Sequence, residues 1–135
     1  MKKNKLVFDT GPLLLYFAGD KQVEVLFNEI NADRAEGYTS ELNLAELYYK
    51  MCAKFGRKDA EVRITSFRFS KILTLPIDDQ LTREAGYLKC TYGDSISLVD
   101  AYILALAKRL KGTLITTDYR LAKLKLVQTR LIQIP

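Results

Sequence analysis

Short runs that lack any alternation of apolar and polar residues constrain this chain most. The segments "KLVF" (5–8), "GYTS" (37–40), "ILTLPI" (72–77), "TLIT" (113–116) and "RLIQI" (130–134) read as strands without a solvent face. Helical periodicity fills the intervals, at about 12–18, 21–31, 42–55, 58–70, 79–91 and 96–110. A strand with no polar face must be covered on both sides. The expected fold class is therefore α/β, a three-layer α/β/α sandwich around a central parallel sheet. At 135 residues, with no linker or low-complexity stretch, the chain is expected to form one domain over residues 1–135. In such sheets crossovers are right-handed, and ligands sit outside the carboxyl ends of the strands.

Composition removes whole classes of chemistry. The chain has no histidine, which excludes Ser-His-Asp and Cys-His nucleophile systems, HExxH metalloproteases and histidine general-acid catalysis. Its two cysteines, Cys52 and Cys90, form no CxxC pair and fall inside predicted helices, so they are expected to be reduced core or near-core thiols. Apolar runs such as "GPLLLYFAG" are far shorter than the roughly 18 to 20 residues that cross a bilayer, and the first residues lack a signal peptide's apolar core. The expectation is a cytoplasmic protein with no membrane partner. A balance of 21 basic against 16 acidic residues, net +5, favours polyanionic partners modestly.

The remaining candidates for chemistry are carboxylates. "KLVFDTGPLLLYF" runs from an apolar strand into Asp9 and then a helical start, and "TLITTDYRLA" repeats the arrangement with Asp118. Both acids fall at the carboxyl edge of the expected sheet. Either can equally be a helix cap: Asp9 or Thr10 before a first turn that holds Pro12, Asp118 before a short helix. Asp100, in "SISLVDAYILALAKRL", has Ile96, Ser97, Ile103 and Leu104 three and four positions away. That spacing predicts a buried carboxylate, which needs either a cation or a lysine or arginine partner. Glu46 follows a different pattern. On "ELNLAELYYKMCAKF" it lies beside Asn43 and Lys50, away from the stripe Leu44, Leu47, Tyr48, Met51 and Phe55, so periodicity reads it as a surface residue paired with Lys50. Its helix follows the second strand, however, and so starts on the same rim as Asp9 and Asp118.

The segments "LVFDTGPLL", "TSELNLAELYY" and "SLVDAYILALAKRLKGTLITTD" together resemble the PIN-domain family, in particular the compact VapC-type toxin ribonucleases. The resemblance covers nearly the whole chain in order and length. It implies a sheet ordered 3-2-1-4-5 and places Asp9, Glu46, Asp100 and Asp118 as the catalytic acids. The resemblance makes these four an acidic metal-binding set with Thr10 and Thr117 as hydroxyl neighbours; within it Asp9, Asp100 and Asp118 are read as direct or water-mediated metal ligands and Glu46 as orienting water or supporting the ligands. One departure is that many members carry a further acid shortly after the last Asp, where this chain has Tyr119, Arg120 and Leu121. That leaves fewer ligands for a second metal.

The chemistry follows from the donor type. Carboxylate oxygens are hard ligands suited to magnesium or manganese, and without histidine or thiolate such a cluster points to phosphodiester hydrolysis. Four converging carboxylates repel one another when no cation is present, so at least one pKa should be raised, and Asp118→Asn is expected to stabilise the metal-free protein. Arg57, Lys58, Arg63, Arg68 and Lys71, with Lys108, Arg109 and Lys111, are the basic groups available for RNA, or are solvated surface charge. The resemblance further implies an RNA substrate, a small antitoxin protein and a homodimer. Three other functions share features of the chain. A housekeeping RNA-processing nuclease and an inactive PIN-like module would keep this fold. A phosphoryl-accepting regulatory domain would want paired acids near the first strand, where "VFDTG" supplies one.

Overall fold

The computed structural model describes residues 2–135. The elements run β1 (Asn4–Phe8), α1 (Thr10–Phe17), α2 (Lys21–Asn31), β2 (Ala35–Ser40), α3 (Glu41–Phe55), α4 (Arg57–Arg68) and β3 (Leu73–Leu75). They continue with α5 (Asp79–Tyr92), a 3₁₀ turn (Gly93–Ser95), α6 (Leu98–Leu110), β4 (Thr113–Thr116), α7 (Tyr119–Leu124) and β5 (Thr129–Leu131). The five strands form one parallel sheet ordered β3-β2-β1-β4-β5, as the resemblance implies. The register pairs Leu6 with Gly37 and Thr113, which sets β1 centrally between β2 and β4.

Strand pleating divides the core into two layers. Leu6 and Phe8 of β1 and Ile115 of β4 pack with Leu13, Val23, Phe27, Leu47, Met51 and Phe67, the layer under α1–α4. Val7 and Leu114, between them in sequence, face Leu81, Ala85, Ile103, Leu104 and Leu121 of α5–α7. Both faces are buried, so β1 and β4 need no polar alternation.

The differences from the sequence reading lie at element ends, where caps rather than apolar period decide. α1 starts at Thr10, two residues before the expected position, because Asp9 caps it. The run at 72–77 keeps only Leu73–Leu75 as strand, and the last strand is Thr129–Leu131 rather than 130–134. Asp20 caps α2 by accepting from the Val23 N–H. Cys52 is half-buried against the first core layer, whereas Cys90 is exposed on α5 and is not a core thiol. No helix among the described residues is long and apolar enough to cross a membrane.

Candidate active site

Parallel strand order brings the ends of β1, β2 and β4 to one edge, and the side chains after them gather there. Asp9 follows β1 directly and is 7% exposed. Its backbone N–H donates to the Ile115 carbonyl at 2.9 Å, which ties it to the end of β4. Three neutral donors hold its carboxylate. The Thr10 N–H reaches Oδ1 at 2.8 Å, Asn43 Nδ2 reaches the same oxygen at 3.3 Å, and the Thr116 hydroxyl donates to Oδ2 at 2.7 Å.

These donors orient Asp9 without neutralising it. Burial pushes its pKa up from 3.8 to about 6. That value is a net: the Thr116 and Thr10 hydrogen bonds pull against burial, and the charges of Asp100 and Glu46 add to it. The acids expected to converge are thus electrostatically close to Asp9 in two of three cases, and the expected raised pKa falls on Asp9.

Glu46 is half-buried and forms neither the expected pair with Lys50 nor any other ion pair among the described residues. Asn43, the residue that made this helical side look solvated, is fully buried. Ser40, the cap of α3, donates to Asn43 Oδ1 and accepts from its N–H at 3.1 Å, and Asn43 Nδ2 then also reaches Thr10 Oγ1 at 3.1 Å. A polar residue at the start of an otherwise amphipathic helix, at the mouth of a sheet, was the available signal for Asn43.

Asp100 is half-buried rather than enclosed, and no lysine or arginine among the described residues pairs with it. It closes a capping box at the start of α6: the Ser97 N–H donates to Asp100 Oδ2 at 2.9 Å, and Ser97 Oγ accepts from the Asp100 N–H at 3.0 Å. Its apolar neighbours turn inward, while its own position in the first turn leaves it at the rim.

Asp118 caps α7, accepting from the Arg120 N–H at 2.8 Å, and it also pairs with the Arg120 guanidinium at 3.0 Å. Burial raises its pKa, but the side-chain and backbone hydrogen bonds from Arg120, with its charge, outweigh this and hold the carboxyl below the usual range. Arg120 in turn feels Asp100 as well as Asp118. The hydroxyl on Asp9 comes from Thr116, while Thr117, the expected neighbour, faces α1, where a methyl group on Gly11 would collide with its Oγ1. Thr116 also accepts from the Asp118 N–H at 3.0 Å, so one hydroxyl links the two strand-ending acids.

The donor set is therefore hard oxygen throughout, which suits magnesium or manganese and no soft metal. As the side chains are arranged, no three of them among the described residues stand close enough to share an ion, because Asp118 is turned to Arg120 and Asp100 to its own helix start. Of the basic groups, Arg63 pairs with Asp59, Arg68 with Glu41, Lys71 with Asp33 and Arg109 with Asp78. Only Arg57, Lys58, Lys108 and Lys111 of that set have no ion pair among the described residues.

No curated protein sequence matches this chain. Solved structures do match its fold at low identity. VapBC2 from Rickettsia felis, bound to a DNA fragment from its promoter, aligns with a TM-score of 0.78 at 16% identity, over 96% of this chain and 99% of that one. VapC20 from Mycobacterium tuberculosis, a toxin that cleaves the sarcin-ricin loop, aligns at 0.72 and 20% identity, over 93% and 98%. FitAcB from Neisseria gonorrhoeae aligns at 0.68 and 20%, over 92% and 95%. The PIN domain model matches residues 6–126, which spans all four rim acids, and the chain belongs to the PIN-domain family.

Proposed function

We propose that this protein is a magnesium- or manganese-dependent endoribonuclease and the toxin of a toxin-antitoxin pair. The observation that supports this most directly is Asp9, a carboxylate 7% exposed at the carboxyl edge, held by neutral donors only and under the charges of Asp100 and Glu46. Such a group is costly to keep ionised unless a cation joins it. Membership of the PIN-domain family, and structural likeness to toxins and toxin-antitoxin complexes, support the same reading.

In this reading Asp9, Asp100 and Asp118 hold the cation directly or through water, and Glu46 orients the attacking water. When bound, a divalent ion supplies counter-charge for the scissile phosphate and makes water a better nucleophile. The chain's own residues prepare the rest. Thr10, Asn43 and Thr116 fix the Asp9 carboxylate, Thr117 seats α1 against the end of β4, and Asp118 would have to release Arg120 to hold a cation. The partners are RNA, a small antitoxin protein and a second copy of the chain, in the cytoplasm. Residues 1–135 act as one nuclease domain.

The test is cleavage of mixed RNA by purified protein with magnesium, manganese or EDTA. Cleavage should require the metal and fall more than about 100-fold in Asp100→Asn. Undiminished cleavage in EDTA, or by that variant, would remove this mechanism. Expression without an antitoxin should arrest growth.

A further inference from the structure

The opposite edge of the sheet carries a different surface. Where the strands begin, a cleft of about 560 Å³ is lined by Lys2, Lys3, Lys5 and Lys111, with Asn4, Thr113 and Gln128 as neutral hydrogen-bonding groups and Glu36 as its one acid. None of the four lysines has an ion pair among the described residues. Elsewhere among the described residues most arginines are paired and most lysines are not, so what marks this cleft is the gathering of four free ammonium groups around one acid. Glu36 is engaged by the Tyr38 hydroxyl at 2.8 Å and neutralises at most one cation.

The backbone holds this concentration of charge in place. A Cβ on Gly112 would lie 2.9 Å from the Lys5 carbonyl oxygen, so glycine there lets the start of β4 press against β1 and brings Lys111 beside Lys5. Lys111 itself ends α6 with φ of 54°, in the left-handed conformation where glycine is the usual residue. A lysine at that position is conformationally unfavourable, and its side chain is what distinguishes it from glycine. Three of the four lysines are exposed and Lys5 is half-buried. Flexible ammonium groups spread along a cleft suit a chain of phosphates better than one planar anion, which arginine forks would grip.

We infer that this amino-edge cleft is a second nucleic-acid contact, binding the phosphate backbone of single-stranded RNA through Lys2, Lys3, Lys5 and Lys111. It rests on the ribonuclease reading for the identity of the polyanion. The cleft is separated from Asp9 by the length of β1, five residues or roughly 17 Å. It therefore holds a part of the RNA remote from the bond to be cut, and contributes affinity without sequence choice.

The experiment is fluorescence anisotropy of a labelled 20-nucleotide mixed-sequence RNA in EDTA, so that binding is read whether or not cleavage occurs. Replacing the four lysines with glutamine should weaken binding at least tenfold at about 100 mM salt. It should also flatten the slope of log K against log salt by about 2 to 3. A control carrying Lys21→Gln, Lys54→Gln, Arg83→Gln and Lys123→Gln loses the same formal charge from other surfaces. Equal losses in the two variants, or no change of slope in the first, would overturn the assignment. So would self-association of the wild type that the first variant abolishes while RNA binding persists, since the occupant would then be a second copy. Circular dichroism checks that both variants are folded, and single substitutions of the exposed Lys2, Lys3 and Lys111 give the same reading in smaller steps. RNA cleavage without lysine-dependent binding removes the cleft alone, and lysine-dependent binding without cleavage removes the nuclease reading alone.

Discussion

Asp9 and Asp118 occupy equivalent places in the local chain, yet the fold treats them oppositely. Each follows a central strand, each caps the next helix, and one hydroxyl, that of Thr116, contacts both residues. Asp9 is enclosed, touches only neutral donors, and has its pKa raised to about 6. Asp118 is half-buried against Arg120, with its pKa lowered. The same strand–Asp–helix pattern therefore makes one uncompensated charge and one compensated charge. Which is which depends on neighbours remote in sequence: Asn43, Glu46 and Asp100 around Asp9, but a residue two positions on for Asp118.

The largest expected effect tests whether this asymmetry matters to the proposed chemistry. Asp9→Asn and Asp118→Asn should both reduce RNA cleavage more than about 100-fold despite their opposite electrostatics, because each removes a proposed metal ligand. Cleavage that survives in Asp118→Asn alone would make Asp118 a helix cap and nothing more. The next effect is smaller. Asn43→Ala and Thr116→Val leave all four acids in place but free the Asp9 carboxylate to turn, and should weaken manganese binding by about 10- to 100-fold in calorimetry. Unchanged binding in both would show that Asp9 needs no support.

The sequence revealed the acids but not their supports, and the reasons are physical. Strand ends and helix starts are encoded locally, so Asp9 and Asp118 were legible, as was the sheet that places them. Asn43 was misread because a helical period assigns it to the polar side, whereas the rim of the sheet buries that side at the first turn only. Thr116 is the last residue of β4 and Thr117 lies one position beyond it, where the chain turns towards α7, so the two hydroxyls meet different neighbours, a distinction no composition carries. Asp100 looked buried because its helical neighbours are apolar, but a residue in the first turn can be exposed where its helix emerges from the core. Its capping box with Ser97 was visible in sequence as two residues three apart.

A third prediction concerns stability in EDTA. It moves the strain expected of Asp118 onto Asp9. Replacing Asp9 with asparagine removes a buried charge, and should raise stability at pH 8 by up to about 3 kcal/mol. Asp118→Asn should lower it by no more than about 1 kcal/mol, because the Arg120 pair is largely solvated and asparagine still caps α7. The pH dependence follows from the same sign. Asp9 titrates higher folded than unfolded, so its favourable contribution is complete below about 3.8 and is lost as pH rises through about 6. Metal-free wild type should therefore gain stability on acidification from pH 7.5 towards 4.5, and Asp9→Asn should not. Below about 4 the trend reverses, because the unfolded chain takes up protons at Asp78 and Asp118 while the folded protein resists, with Asp78 held down to about 2 by the hydrogen bonds of Arg109 and Asp118 also held low. Thermal melts across pH 3–8 check both statements, and an identical profile for wild type and Asp9→Asn would break the comparison.

The smallest effect isolates Arg120. Its guanidinium bonds Asp118 Oδ2 at 3.0 Å and Oδ1 at 3.3 Å, and it also feels Asp100. It thus lies where its charge competes with any cation those two acids would share. Exposed pairs of this kind contribute little net stability, so Arg120→Gln should barely move the melting temperature. It should tighten manganese binding by about two- to fivefold, since the metal no longer has to displace a competitor. The effect belongs to the pair, so it should shrink when Asp118 is already asparagine, and a double-mutant cycle of binding energies measures that coupling. If Arg120→Gln instead weakens metal binding, the guanidinium is organising Asp118 rather than competing for it, and Asp118 is compensated in a way that favours the bound state.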